Sequence, residues 1–460
     1  MKTTVLFILI FTCISLNAQI LTPEAFIQQV RQNHPVAKQA NIQIEKAKAD
    51  LLSAKGYFDP SFTFDASRKT FDGKNYYFYT NPEIKIPTRL GGADIKAGLQ
   101  NNGGSNLESE VTAGKSSYLG IEMPIAKGLI IDKRRAALQQ AQIYRSQSDQ
   151  ERNRMVNDLL YDAYINYWQW TSAYQLFSVY NNFFKIATER FRLIKIAYQN
   201  GDRASIDTIE ALTQVQNFEM LQADAKVKLN TASLEMANFL WNEQDSAYLL
   251  PEKVVPDTVR FALNLSPQSV ETLLYRATQE NPVLRTYNYK LAALEVDRKL
   301  KFQNILPVVN IKANLLNQDY NVFKGVNSGF IQNNNSWGVD VKIPLFLREG
   351  RGDYQKAKLK IAETNYELNQ KKWEVENKVR NYFTETTLLQ QQIRVTQNAF
   401  NGFSSLLRAE NLRFQNGESS LFLINIRENK VIETAEKLIN LRFKYLKANY
   451  AIEWSAGLLR

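Results

Sequence analysis

Cysteine and histidine are almost absent from this 460-residue sequence, which contains one residue of each. The cysteine, Cys13, lies in an apolar N-terminal stretch, and the histidine, His34, stands in an Asn-His-Pro triplet. These counts exclude a multi-histidine or cysteine-ligated metal centre and any disulfide within the chain. No GxxxxGK(S/T) phosphate-binding sequence occurs either. We therefore predict that the protein is not an enzyme and that it has no catalytic residues, cofactor or metal site.

Long apolar runs are also missing, because no stretch of 18 apolar residues follows the N-terminus. The shorter apolar stretch Val5–Ile14 follows Lys2 and precedes Asn17-Ala18, which is typical of a secretory signal peptide over residues 1–18. Membrane β-strands give weak hydropathy signals, so a membrane location stays open. The formal net charge of +11 is spread along mixed-charge segments without a basic block. This pattern argues against binding of nucleic acid.

Proline and glycine are both absent between Gly128 and Gly201, so nothing in this segment breaks a helix. From Met155 to Tyr198 an apolar or small residue recurs in twelve steps over 43 residues, close to the helical period of 3.6. An Asn-Gly pair then supplies the positive φ angle that ends a helix. We predict a long helical hairpin over residues 129–241.

The second half of the sequence repeats the layout of the first half. The turn sequence Gln199-Asn200-Gly201-Asp202 recurs 216 residues later as Gln415-Asn416-Gly417-Glu418. Polar and apolar residues alternate after Pro60 and again after Pro307, which predicts strands with two different faces. We therefore predict a tandem duplication in which each repeat contains a helix, a β-hairpin, a long helix, a turn and a returning helix.

The predicted domain boundaries follow this duplication. The first repeat spans residues 19–264, with a helix, a β-hairpin at 57–127, a long helical hairpin at 129–241 and a linker at 242–264. The second repeat spans residues 265–460, with a helix that opens at Leu265-Ser266-Pro267, a β-hairpin at 307–347 and a long helical hairpin at 352–457. We expect extra strand within residues 71–115. Seven aromatic residues fit a girdle at a bilayer interface: Tyr57, Tyr76, Tyr77, Tyr79, Tyr118, Phe330 and Trp337.

These features resemble the TolC-like family of outer-membrane efflux and secretion channels. The resemblance covers Leu21 to Leu459 and rests on the order of Leu-Thr-Pro-Glu-Ala, Asn-His-Pro, Gly-x-Phe-x-Pro and the two helical turns. It implies an α + β fold in which a homotrimer forms one shared β-barrel in the outer membrane and an α-helical tunnel through the periplasm. It further implies a passive exit duct of a tripartite efflux pump or type I secretion system in a Gram-negative bacterium.

The implied partners are outer-membrane lipid, a periplasmic adaptor protein and an inner-membrane pump. The resemblance places adaptor docking at the two helical tips: Gln199, Asn200, Gly201, Asp202, Arg203, Gln415, Asn416, Gly417, Glu418 and Ser419. A secreted or surface coiled-coil scaffold or adhesin is the alternative function. That alternative explains the helices but not two β-hairpins at matching places.

Members of this family often narrow the tunnel mouth with acidic residues shortly after the second-repeat turn. Here those positions hold Leu423 and Ile426, whereas the corresponding first-repeat positions hold Asp207 and Glu210. We expect any acidic constriction to come from the first repeat, where three copies would gather up to six carboxylates. The alternative is that the two carboxylates only favour the first turn of a helix.

Overall fold

A computed structural model of the chain describes residues 19–108, 111–251, 253–262, 269–320 and 334–460. The chain forms two compact units. The first comprises Met1–Ala40, Arg154–Asn281 and Glu374–Arg460, and the second comprises Asn41–Asn153 and Pro282–Trp373. The predicted signal peptide, the predicted helix start at Leu265-Ser266-Pro267 and the predicted girdle residue Phe330 lie outside the described residues.

Helices account for most of the described residues. They are α1 Pro23–Asn33, α2 Pro35–Gly56, α3 Lys133–Gln199, α4 Ser205–Ala237, α5 Thr258–Phe261, α6 Val270–Glu280, α7 Pro282–Gln303, α8 Arg348–Gln415 and α9 Leu421–Ala456. Helices α3 and α8 contain 67 and 68 residues and correspond to the uninterrupted helices that the sequence predicts. None of the helices in the described ranges contains a stretch apolar enough to cross a membrane.

The single helix predicted before the first β-hairpin is broken into two. Helix α1 ends at Asn33 and α2 starts at Pro35, with His34 in extended conformation between them. A residue before proline is pushed out of the helical region by the proline ring, so the break is a local consequence of Pro35. The second repeat breaks in the same way before Pro282, which starts α7.

The described strands comprise a short parallel pair and a larger antiparallel sheet. They are β1 Gln19–Leu21, β2 Ser61–Phe71, β3 Lys74–Pro87, β4 Asp94–Gly103, β5 Gly114–Pro124, β6 Val254–Pro256, β7 Val308–Gln318 and β8 Asn335–Lys342. Strands β1 and β6 pair in the first unit. The other six strands form one sheet of the second unit in the order β2-β3-β4-β5-β7-β8. The segment expected to hold one hairpin plus extra strand therefore contributes four strands, and β2 and β8 are the edges of the described sheet.

The two faces of this sheet differ in polarity because side chains alternate along each strand. One face carries apolar rows, such as Ile86 opposite Ile95, Ile95 opposite Ile121, and Ala313 opposite Trp337. The other face carries five acidic and five lysine residues. These are Asp65, Glu83, Asp94, Glu122, Asp340, Lys69, Lys85, Lys96, Lys312 and Lys342.

The expected aromatic girdle is wrong for three of its members, because Tyr77, Tyr79 and Tyr118 lie on the polar face of the sheet. Trp337 lies on the apolar face and is 78% exposed, whereas Tyr118 lies on the polar face and is 8% exposed. The hydroxyl of Tyr118 donates to acceptors of β3 on the same polar face, Asn81 and Glu83, so its ring is held away from the apolar side. Residue type alone did not distinguish the two faces.

The core of the first unit is aromatic. Trp170, Tyr167, Phe26, Phe218 and Tyr445 are among its largest fully buried side chains. The hydroxyl of Tyr167 donates to the carbonyl of Leu21 at 2.7 Å and accepts from the backbone N–H of Asp257 at 3.1 Å. Burial raises the pKa of this hydroxyl above its ordinary value. Through these two hydrogen bonds, Tyr167 links the segments that contain β1 and β6 to helix α3.

Candidate functional site at the helical tips

The two long helical pairs reverse at turns of the same geometry. Gly201 between α3 and α4 has φ 83°, and Gly417 between α8 and α9 has φ 79°. The backbone N–H of Asp202 and that of Glu418 each donate, at 2.9 Å, to the carbonyl five residues earlier. A side chain is disfavoured at such a φ, so glycine is needed at both turns.

The predicted docking residues are accessible at both turns. All ten are exposed except Arg203 and Ser419, which are half-buried because they contact neighbouring helices. Each tip therefore presents a short polar surface whose backbone is held by its own turn. Docking of an adaptor to this surface stays a prediction.

The turn of the second tip is stabilised by the carboxylate of Glu410. Glu410 on α8 accepts a hydrogen bond from the hydroxyl of Ser419 at 2.6 Å and lies 3.8 Å from Arg413 and 3.7 Å from Arg427. Arg413 also donates to the carbonyl of Glu418 at 3.2 Å. The hydrogen bond from Ser419 and the two guanidinium groups hold the pKa of the Glu410 carboxyl below its ordinary value. This set of contacts clamps the turn to the end of α8.

The first tip is held by an aromatic contact. The guanidinium carbon of Arg203 lies 4.7 Å from the ring centroid of Phe414, the residue before the last of α8. Phe414 packs in turn against the buried cluster of Ile194, Ala211 and Leu421. A cation over an aromatic face at this distance is attractive by about 0.5–1 kcal/mol at an exposed site. The first turn therefore rests on the helix that carries the second turn.

The carboxylates expected at a constriction have partners within the same chain. Glu210 accepts from the amide of Asn425 at 3.1 Å, and Asp207 lies 3.9 Å from Arg203. Both carboxylates are half-buried, Leu423 is half-buried, and Ile426 is 38% exposed. The structure thus brings Glu210 next to α9. A role of these residues in narrowing a channel stays a prediction.

A buried ion pair lies further along the same helices. Both terminal nitrogens of the Arg190 guanidinium contact the Glu428 carboxylate, one of them at 2.9 Å, and Glu428 is 1% exposed. Such a two-pronged pair fixes geometry as well as charge. No sequence signal pointed to Arg190, which precedes Glu428 by 238 residues.

The duplicated long helices and the two-faced antiparallel sheet define an α + β fold with an internal repeat. A profile of the outer membrane efflux protein family matches residues 26–240 and 273–457, most of the chain and one segment in each repeat. The chain belongs to the outer membrane efflux protein family.

Solved channel structures share this fold. The similar structures include the CmeC outer membrane channel of Campylobacter jejuni, with 14% identity, a TM-score of 0.64, and coverage of 95% of this chain and 86% of that one. VceC of Vibrio cholerae has 15% identity, a TM-score of 0.64, and coverage of 95% and 96%. The open state of MtrE of Neisseria gonorrhoeae has 12% identity, a TM-score of 0.66, and coverage of 97% and 93%. A search of curated protein sequences finds no match.

Family membership confirms the predicted function and location. The protein is an outer-membrane efflux channel, and its family consists of passive channels rather than enzymes. Membership also implies a trimeric channel that works with pump partners. The coiled-coil scaffold or adhesin considered from the sequence alone is set aside.

Proposed function

We propose that the protein is the exit duct of a tripartite efflux pump, in which a periplasmic adaptor docks on the helical tips and links the duct to an inner-membrane pump. The match of one efflux-protein family to both halves of the chain carries this proposal. Three copies share one closed sheet in the outer membrane, and their long helices enclose a tunnel in the periplasm. Solutes cross passively through the water-filled interior.

The edges of the sheet support assembly with further copies. Strands β2 and β8 each have one neighbour in the described sheet, so each leaves a row of backbone N–H and C=O groups without strand partners. Such groups are costly in lipid, where no water replaces the missing hydrogen bonds. Pairing of β2 in one copy with β8 in the next removes both edges and closes the sheet.

Exposed apolar side chains on the helices of the first unit support the same assembly. Met220, Val227 and Leu234 of α4 follow one another at intervals of seven residues and are each at least 60% exposed. Leu388 and Val395 of α8 have the same spacing and are 52% and 69% exposed. A seven-residue apolar spacing is typical of helices that pack side by side. We expect these rows to face helices of neighbouring copies.

Assembly is tested by the mass and the channel activity of the purified protein. Light scattering of the protein in detergent should give three copies, and insertion into a planar bilayer should give discrete conductance steps. Isolation of the mature protein as a soluble periplasmic monomer would remove the proposal.

Adaptor docking is tested by a photoreactive amino acid placed at Gln199 or Gln415 in living cells. Both tip positions should give a cross-linked product that mass spectrometry identifies as a periplasmic adaptor protein. Gln391 is the matched control, because it is an exposed glutamine of α8 away from the tips. Absence of the adaptor product from both tips, or an equal yield from Gln391, would contradict docking at the tips.

A further inference from the structure

The sheet of the second unit contains a hairpin that the duplication of the sequence does not require. Among the residues that the structure describes, the second repeat contributes two strands to this sheet, β7 and β8, whereas the first contributes four. The additional pair is β3 and β4, which lie between β2 and β5. We infer that this β3–β4 hairpin widens the outer-membrane section of the channel, from a closed sheet of twelve strands to one of eighteen. The inference rests on the proposed trimer.

The outer face of the hairpin continues the apolar rows of its neighbours. Phe62 of β2 pairs with Ile84 of β3, Ile84 pairs with Ala97 of β4, and Ala97 pairs with Leu119 of β5. Leu119 pairs in turn with Leu315 of β7. A β3–β4 hairpin that projected into water would not need its apolar residues to pair with apolar residues of β2 and β5. The unbroken row places β3 and β4 in the same lipid-facing surface as β5 and β7.

The inner face of the hairpin is tied to the rest of the sheet by ion pairs. Lys85 of β3 lies 2.9 Å from Asp94 of β4, and Lys96 of β4 lies 2.6 Å from Glu122 of β5. Asp94 also pairs with Arg134 near the start of α3 at 2.7 Å. These contacts hold β4 both to β5 and to the helix that follows β5. The hairpin is therefore an integral part of the sheet.

Strand length and direction agree with this placement. A membrane strand needs about 9–11 residues, and β3 and β4 contain 14 and 10. All neighbouring pairs are antiparallel, so an inserted hairpin leaves β2 and β5 running in opposite directions, as they would if they were direct neighbours. The insertion also leaves β2 and β8 as the edges. Three copies therefore close the sheet with or without the hairpin.

The number of strands sets the width of a closed sheet. With strands about 4.8 Å apart and tilted by about 40°, eighteen strands enclose a backbone diameter of roughly 36 Å, and twelve enclose roughly 24 Å. The hairpin thus increases the diameter about 1.5-fold. The solutes that benefit are bulky ones, such as peptides, whose cross-section approaches the narrower limit.

The placement of the hairpin is tested with nitroxide spin labels. Labels at Ile84 and Ile95 should be accessible to dissolved oxygen and shielded from a water-soluble nickel complex, like a label at Leu119 of β5. A label at Lys96, on the opposite face, should show the reverse. Cys13 is the only cysteine in the sequence and lies in the predicted signal peptide, so single labelling sites are available.

The labels distinguish failure of this inference from failure of the proposed duct. Nickel access at Ile84 and Ile95, with Leu119 still shielded in a trimer, would overturn the wide sheet and leave the duct intact. Nickel access at Leu119, or a monomeric protein, would instead remove the proposed membrane trimer. Oxygen access at all three apolar positions supports both.

The width is tested by deletion of residues 74–112. This deletion keeps the Asp72-Gly73 turn, whose two residues have φ 50° and 71°, and joins it through Ala113 to β5, so that Leu119 stays on the apolar face. Uncharged polymers of graded size are added on the extracellular side of the channel in a planar bilayer. The largest polymer that enters should fall in diameter by at least about one third, because side chains take the same thickness from the wider and the narrower lumen. An unchanged size limit in a trimeric deletion variant would overturn the inference, and the spin labels decide the case if the variant does not fold.

Discussion

The hydroxyl of Tyr118 on β5 donates to the carboxylate of Glu83 on β3 at 2.5 Å, although strand β4 runs between them. Tyr118 passes over β4 at Gly98, where a Cβ atom would lie 2.5 Å from the tyrosine ring. The absence of a side chain at Gly98 therefore permits a contact between strands that are not neighbours.

Replacement of this glycine should loosen the sheet. Gly98→Val forces the ring of Tyr118 away and breaks its bond to Glu83, at a cost of about 1–3 kcal/mol for overpacking. When samples are heated to increasing temperatures before electrophoresis, the band of the folded form should disappear at a lower temperature in this variant than in the unaltered protein. Gly338→Val is the matched control, because Gly338 faces the same side and a Cβ there meets no atom within 4 Å. An equal fall of this temperature in the Gly98→Val and Gly338→Val variants would refute the role of Gly98.

The buried pair of Arg190 and Glu428 should contribute strongly to the stability of the first unit. Glu428→Gln removes one charge and leaves Arg190 buried without compensation, which typically costs about 3–5 kcal/mol. The midpoint of helix loss, followed by circular dichroism, should fall accordingly.

A second ion pair provides the control for that variant. Glu189 and Arg192 form a pair on the same helix, with side chains 56% and 60% exposed. Glu189→Gln should leave the midpoint almost unchanged, because solvent screens an exposed pair. A Glu428→Gln variant no less stable than Glu189→Gln would show that the buried pair is dispensable.

Acid should loosen the second tip. The pKa of Glu410 is lowered in the folded chain, chiefly by the hydrogen bond from Ser419. Stabilisation by this carboxyl is therefore complete above its unfolded pKa, whose ordinary value is 4.5, and is lost as the pH falls through the lower folded value. The mobility of a spin label at Gln415 should rise over that range.

Ser419→Ala removes the main cause of the shift. In that variant the pKa of Glu410 should move up towards its ordinary value, so mobility at Gln415 should begin to rise at a higher pH. A label at Gln199, on the first tip, reports whether acid acts on both tips equally. Identical pH profiles in the variant and the unaltered protein would eliminate Ser419 as the cause.

The carboxylates of the first tip should govern block by cations if they narrow the channel. Asp207→Asn combined with Glu210→Gln should weaken block of single-channel current by multivalent cations from the periplasmic side, because the attracting charges are removed. Glu219→Gln, an exposed carboxylate further along α4, is the control. Unchanged block in the double variant would exclude a constriction at these residues.

The helical part of the fold was largely predictable from the sequence. The spacing of apolar residues from Met155 to Tyr198 and the Asn-Gly turns act locally, and the structure places α3 and its turn accordingly. The break at His34 follows from an equally local rule, the effect of Pro35 on the preceding residue.

The strands and the ion pairs were harder to predict. The Asp72-Gly73 pair, flanked by alternating residues, is a strong hairpin signal that would have separated β2 from β3. No comparable signal joins Arg190 to Glu428 or Asn425 to Glu210, because each pair is more than 200 residues apart in the chain. Their contacts depend on how α3, α4 and α9 pack. A single sequence does not encode that packing as a local pattern.

The polar face of the sheet bears five carboxylates and five lysines. Because these positive and negative charges are equal in number, a channel wall formed by this face produces almost no electrostatic potential beyond the short range of each ion pair. Small anions and small cations should therefore pass it with similar ease, and the reversal potential across a salt gradient should be set elsewhere along the pathway. In the proposed duct, we expect this section to discriminate cargo by its bulk rather than by the sign of its charge.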